Sequence, residues 1–138
     1  MIKVKRLTQT ATIPTRGSEQ AAGLDLYADA SLVVKAGTHA IIHTGIAVAI
    51  PDGFCGQVWP RSGVSVRYGV DVLAGVIDSD YTGEIKVVLQ AGAHDFEINQ
   101  GDRIAQLLIV PVSMLQCTEV DSLDDTARGT GGFGSTGR

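Results

Sequence analysis

Apolar side chains alternate with polar ones in short runs along most of this chain. Ile2, Val4 and Leu7 set up a loosely alternating first strand. Residues 12–20 are polar, with Pro14 and Gly17, and read as a loop. In the next run Leu24, Leu26 and Ala28 share one face and Asp25 and Tyr27 the other, because successive strand side chains point to opposite faces. A lone Asp in such a run is either an exposed strand residue or a functional one, and on this stretch alone it reads as exposed. Leu32-Val33-Val34 leads into a Lys35-Ala36-Gly37 turn; residues 40–50 are rich in β-branched types, broken by Gly45 and closed by the turn Pro51-Asp52-Gly53. Residues 54–60 form another strand, carrying Trp59. Residues 85–90 alternate, 91–100 read as loop, 103–110 form a β run ending at Pro111, and 112–120 read as one more strand. Only residues 64–68 suggest a helix, of one or two turns, with Val64 and Val66 lowering its propensity. Short strands separated by turn signals roughly every 8–12 residues predict an all-β chain, a β-sandwich or jelly-roll barrel of roughly ten to twelve strands.

Composition narrows the class. The 138 residues fit one domain, and 44% apolar with 19% charged residues describes a soluble globular protein. A net charge of −4 argues against a uniform basic face, so no direct nucleic-acid binding is expected. Cys55 and Cys117 lie far apart in no CxxC pattern; they could pair, but they read as free, buried thiols of a reducing compartment. The first residues lack the apolar core of a signal peptide, and no run approaches the ~18 apolar residues of a membrane span. A cytoplasmic protein without membrane contact is expected. His39 and His43 stand four apart, but no HExxH motif accompanies them and the pattern around them is β, so both read as ordinary strand residues; His94 is isolated.

Candidate chemistry is concentrated in three places. Residues 74–83 place Gly75, Asp78, Ser79, Asp80, Tyr81 and Gly83 between two β-rich runs, which reads as a hairpin turn. Asp78 and Asp80 are there either as turn formers or to aim a carboxylate, beside the Tyr81 ring, at a ligand. Arg61-Ser62-Gly63 follows a proline and combines a guanidinium fork, a hydroxyl and close backbone approach, a set suited to an anion. In the tail, residues 128–138, five of eleven positions are glycine. Such a stretch fits a flexible linker, yet Arg128, Phe133 and Arg138 have no place in a plain linker. Glycine-rich backbone with Ser135 and Thr136 can cradle phosphate oxygens. The GxxxxGK[ST] pattern of a Walker A loop is absent.

Five segments, 22–28, 60–63, 75–83, 101–108 and 128–137, resemble in order and spacing the five motifs of the homotrimeric dUTPase family. The resemblance implies a jelly-roll domain over residues 1–127 and a mobile arm over 128–138 that closes on an active site. It implies hydrolysis of dUTP to dUMP and pyrophosphate with Mg²⁺, in a trimer whose sites are shared between chains. Such an activity would limit uracil incorporation into DNA and supply dUMP for thymidylate synthesis. Carried over by motif, Asp78 would position the attacking water and Tyr81 would pack under the deoxyribose, leaving no room for a 2′-hydroxyl. The backbone at Leu73, Gly75 and Val76 would read the uracil edge; some members have an asparagine side chain where this chain has Val72. Arg61, Ser62 and Gly63 would hold phosphates, and Gln106 would contact a phosphate or the base. Asp25 would meet the magnesium through water. Arg128 would bind the γ-phosphate, Phe133 would stack on uracil, and Gly134, Ser135 and Thr136 would complete the cradle.

The residue types support this chemistry. Phosphoryl cleavage depends on positioning and charge stabilisation, and a carboxylate can orient water and accept its proton. Mg²⁺ keeps most of its waters and leans on substrate phosphates, so no dense carboxylate cluster is needed. Two rivals remain at this stage. A dCTP deaminase-like enzyme would share the jelly roll but need an acid/base poised at cytosine C4. A non-catalytic trimeric module would have no use for Asp78, Arg128 and Phe133 together.

Overall fold

Period-two burial organises the fold. Among residues 1–137, which the computed structural model describes, ten strands and one helix form in the order β1 Lys3–Arg6, β2 Leu24–Tyr27, β3 Leu32–Val34, β4 His39–Ala49, β5 Phe54–Trp59, α1 Ser62–Tyr68, β6 Asp71–Leu73, β7 Val76–Ile77, β8 Glu84–Gln90, β9 Phe96–Ile98 and β10 Arg103–Pro111. On β8, Ile85, Val87 and Leu89 are buried while Lys86 and Gln90 face out. They pack with Ile42, Ile46 and Val48 of β4, Leu26 of β2, Val58 of β5, and Ile104 and Leu107 of β10 in one core. Full burial of each such side chain contributes on the order of 1.5–3 kcal/mol.

Two antiparallel four-stranded sheets enclose that core, ordered β1-β4-β8-β6 and β2-β10-β5-β7, with a β3-β9 pair beside them. This is the expected all-β, jelly-roll sandwich. Strand β10 lies between β2 and β5, with Gln106 opposite both Asp25 and Trp59. Opposed residues share a sheet face, so Asp25, Gln106 and Trp59 form a row across three strands.

Several local expectations change. The expected strand over 112–120 does not form: after Val112 N–H donates to Gly53 O (2.9 Å), the segment has no ladder partner among the described residues and stays exposed. An apolar alternation makes a strand only when a neighbouring edge satisfies its backbone. The stretch read as loop over 91–100 contains β9, whose Ile98 is buried and whose three residues are too few to show a period. The helix begins two residues earlier than expected and ends at Gly69, where φ is 65°. Cys55 is buried but Cys117 is exposed; both are free thiols. His39 and His43 are strand residues, as read.

Candidate active site

Residues of three motifs meet in a cleft of about 210 Å³ beside the β2-β10-β5 row, lined by Asp25, Arg61, Ser62, Gly63, Arg103 and Gln106 among others. The β strand brings Asp25 in from one side, and the chain leaving β5 through Pro60 brings Arg61 from the other. Gln106 Nε2 donates to Pro60 O (2.9 Å), fixing the entry to the helix. Asp25 is 8% exposed, which corrects the reading of it as a solvent-facing strand residue. Its Oδ1 lies 2.9 Å from Arg61 Nε and its Oδ2 3.5 Å from Arg103 Nη1. A buried carboxylate needs such partners, because desolvation without pairing costs several kcal/mol. Among the described residues there is no group of three or more His, Cys, Asp or Glu side chains able to cage a metal. Both Asp25 oxygens face guanidinium groups, Oδ2 at the longer distance, and a carboxylate oxygen so placed keeps lone-pair capacity to accept from a water as well.

The hairpin is more complex than a tight turn. Strand β6 pairs with β8, Leu73 opposite Val88, but β7 crosses to the other sheet and pairs with β5, Val76 opposite Gln57. The crossover passes through two left-handed residues, Ala74 at φ 59° and Gly75 at φ 118°. A Cβ on Gly75 would stand 2.7 Å from Val58 O, so only glycine fits the approach. The Gly75 carbonyl accepts from Val58 N–H at 2.7 Å, which commits that group to the fold. Ala74, Gly75, Val76, Val72 and Trp59 line a second, mostly apolar cleft of about 300 Å³; Leu73 lies in the ladder behind it.

Beyond the crossover, Asp78 is exposed and its carbonyl accepts from Tyr81 N–H (3.1 Å), closing the turn. Its carboxylate takes no hydrogen bond from any described residue. The Tyr81 hydroxyl donates to Glu84 O (2.8 Å), and its ring folds over Gly83, where a Cβ would meet the hydroxyl at 2.6 Å. The base of the hairpin is held by Glu84, which meets His43 Nδ1 and accepts from Gly45 N–H, both at 2.9 Å. Burial alone would raise the Glu84 carboxyl; the His43 and Gly45 hydrogen bonds and the nearby His43 and Lys86 charges outweigh it and hold it below its ordinary value.

The arm forms a third group. Hydrogen bonds within 126–137 run from Gly129 N–H to Thr126 O, Gly131 to Arg128, Ser135 to Gly132 and Gly137 to Gly134, a chain of turns bonded to itself. Arg128, Phe133, Gly134, Ser135 and Thr136 surround a concavity of about 500 Å³, and Phe133 is fully exposed at φ 51°. Arg138 lies outside the described residues.

Within one chain, then, Asp25, Arg61, Ser62, Gly63 and Gln106 converge; Gly75 and Val76 line a neighbouring cleft; Asp78 and Tyr81 project from the hairpin; and the arm residues form their own cluster. The sequence reading missed Arg103 and Trp59. Arg103 sits in the fourth motif segment, but its partner Asp25 is distant in sequence and no local pattern links them. Trp59 directly precedes the Pro60-Arg61 turn, but the register is what places it opposite Gln106. A larger cleft, about 590 Å³, lies on the far side of Arg61 and Arg103, between Tyr68, Phe96 and Asp102. Of the expected site residues it contains Arg61, whereas the 210 Å³ cleft gathers Asp25, Arg61, Ser62, Gly63 and Gln106.

Known proteins extend the same pattern. The dUTPase family model matches residues 9–137. The chain is 50% identical over 135 residues to the deoxyuridine 5'-triphosphate nucleotidohydrolase of Paramecium bursaria Chlorella virus 1, covering 97% of this chain and 96% of that protein. A substituted dUTPase of Staphylococcus bacteriophage 80alpha, solved with dUpNHpp, superposes with a TM-score of 0.94 at 28% identity, covering 100% of this chain and 99% of that one. A dUTPase of phage phi11 of S. aureus, described with a structural Mg(II) ion, gives a TM-score of 0.84 at 27% identity over 88% of this chain and 97% of that one. With the motif segments in order, the cleft that three of them build and this match across nearly its whole length, the chain belongs to the dUTPase family.

Proposed function

We propose that this protein hydrolyses dUTP to dUMP and pyrophosphate. Water attacks the α-phosphorus, the bond from that phosphorus to the bridging oxygen breaks, and pyrophosphate leaves with that oxygen. Asp78 orients the water and takes its proton. Arg61, Ser62, Gly63 and Gln106 receive the phosphates in the 210 Å³ cleft, which is the observation that carries the reading. The Gly75–Val76 backbone, with Leu73 behind it, shapes the uracil pocket. Thymine's methyl group is excluded there by the close packing on β5, and cytosine would leave buried polar groups unpaired. Tyr81 supports the deoxyribose. Arg128, Phe133, Gly134, Ser135 and Thr136 form a closing arm, with Phe133 stacking on the base, worth about 1–3 kcal/mol. Mg²⁺ would supply charge neutralisation on the triphosphate, and Asp25 would hold it through water.

The site is completed by other copies in a homotrimer. Two features support this. The hairpin, the cleft and the arm form separate clusters within one chain. The unpaired segment after β10 exposes Met114 (74%), Leu115 (88%) and Leu123 (86%), which a neighbouring chain would cover. Among the described residues no helix is long and apolar enough to cross a membrane. Two free thiols favour a reducing compartment, the cytoplasm. The test is pyrophosphate release from dUTP, dTTP, dCTP and UTP, with and without Mg²⁺. Release from dUTP alone, dependent on the metal, is expected; intact dUTP, or ammonia release from dCTP, refutes the reading.

A further inference from the structure

The geometry points to Arg103 as a positioning residue that keeps Arg61 available to phosphate, a role that rests on the triphosphate-binding reading of the cleft. Asp25 is buried and presents two oxygens, and a lone Arg61 beside it would turn its fork onto both. Paired donation to a carboxylate is the strongest arrangement open to a guanidinium. It would turn a second Arg61 nitrogen toward the carboxylate and away from the cleft. The structure shows a different division. Arg61 reaches Oδ1 through Nε alone at 2.9 Å, while Oδ2 faces Arg103 Nη1 at 3.5 Å. Arg61 Nη1 also donates to the Arg103 carbonyl at 3.3 Å, so residue 103 holds Arg61 by backbone as well as through Asp25. Arginine carries five N–H donors. One is spent on Asp25 and one on the Arg103 carbonyl, which leaves the remainder of the outer fork for phosphate oxygens. The charges agree: two guanidinium groups against one carboxylate leave the cleft with one net positive charge.

The Arg103 side chain is 51% exposed, and its contact with Asp25 is a single, long one. Its work is therefore done by charge more than by fork geometry, and a lysine should replace it in large part. Arg103→Gln keeps the side chain's length and polarity and removes the charge. In that variant Asp25 draws the Arg61 fork onto both oxygens.

Calorimetric binding of inorganic triphosphate to the full chain reads this directly, with dUTP turnover measured beside it. Arg103→Gln is expected to weaken triphosphate binding about tenfold, and Arg103→Lys to restore it to within about threefold. In an Asp25→Asn background, which no longer competes for the fork, Arg103→Gln should change affinity by less than about twofold. Circular dichroism confirms that each variant is folded. Equal losses in the two backgrounds, unchanged binding in Arg103→Gln, or no triphosphate binding by the wild type would each overturn the assignment. If triphosphate binding follows the expected pattern while dUTP is left intact, the role of Arg103 stands and the proposed activity falls.

Discussion

Replacing Gly75 with alanine tests whether the crossover between β6 and β7 is held where the sandwich puts it. At φ 118° the backbone occupies a region that side-chain-bearing residues avoid, and the preceding Ala74, already left-handed at φ 59°, leaves no slack upstream. The new Cβ would stand 2.7 Å from the Val58 carbonyl, which is backbone and cannot swing aside as a side chain would. Relief requires β7 to move off β5, which breaks the 2.7 Å bond from Val58 N–H to Gly75 O. Strain of this kind costs about 1–3 kcal/mol, and a lost backbone bond about 0.5–1.5. Together the change is roughly 1.5–4.5 kcal/mol, short of the whole of a typical domain stability of about 5–15. The variant therefore folds but unfolds earlier. Urea titration at fixed protein concentration should show a midpoint lower by on the order of 1–2 M. Because Gly75 and Val76 line the proposed uracil pocket, preference for dUTP over dCTP in pyrophosphate release should fall as well. An unchanged midpoint together with unchanged base preference would refute the claim that this close approach fixes the pocket.

Three further outcomes follow from the site and its supports. Asp78→Asn should lower kcat for dUTP by about 10²–10⁴ while KM moves only severalfold; strong residual turnover would remove Asp78 from the role of aiming water. Deleting residues 128–138 should abolish most turnover and leave the assembly size on a sizing column unchanged, whereas a fully active truncation would dismiss the arm. Glu84 is held below its ordinary value of 4.5, so its contribution to stability is complete above that pH and is lost as pH falls through the lower, folded value. The difference in Tm between wild type and Glu84→Gln should thus be large near pH 7 and shrink below 4.5; a gap that persists at about pH 3 would show that the carboxylate's charge is not what matters.

The readings that succeeded and those that failed separate along a physical line. Ile85, Val87 and Leu89 were legible because burial on one sheet face leaves a period of two in the sequence, and β8 keeps it over seven residues. Strand β9 has three residues, below the length at which any period can be recognised. Asp25 was misread because its environment comes from residues 61 and 103, and nothing near it in sequence reports two guanidinium groups. The turn at 74–83 was recognisable from its Gly and Asp content. Its diversion through β7 into the second sheet was not, since two residues paired with Gly56 and Gln57 leave no pattern of their own.

The segment after β10 takes this argument one step further. Residues 112–120 carry an apolar pattern suited to a strand, yet they have no ladder partner among the described residues. Hydrophobic alternation records that a stretch will be covered; it carries no information about which chain covers it. In the proposed trimer one cause accounts for both the unpaired segment and the dispersed site, because each chain carries surfaces that only its neighbours complete. In that trimer a hairpin that presents Asp78 outward and an arm that, among the described residues, bonds to itself are complete as parts that meet at the cleft around Arg61.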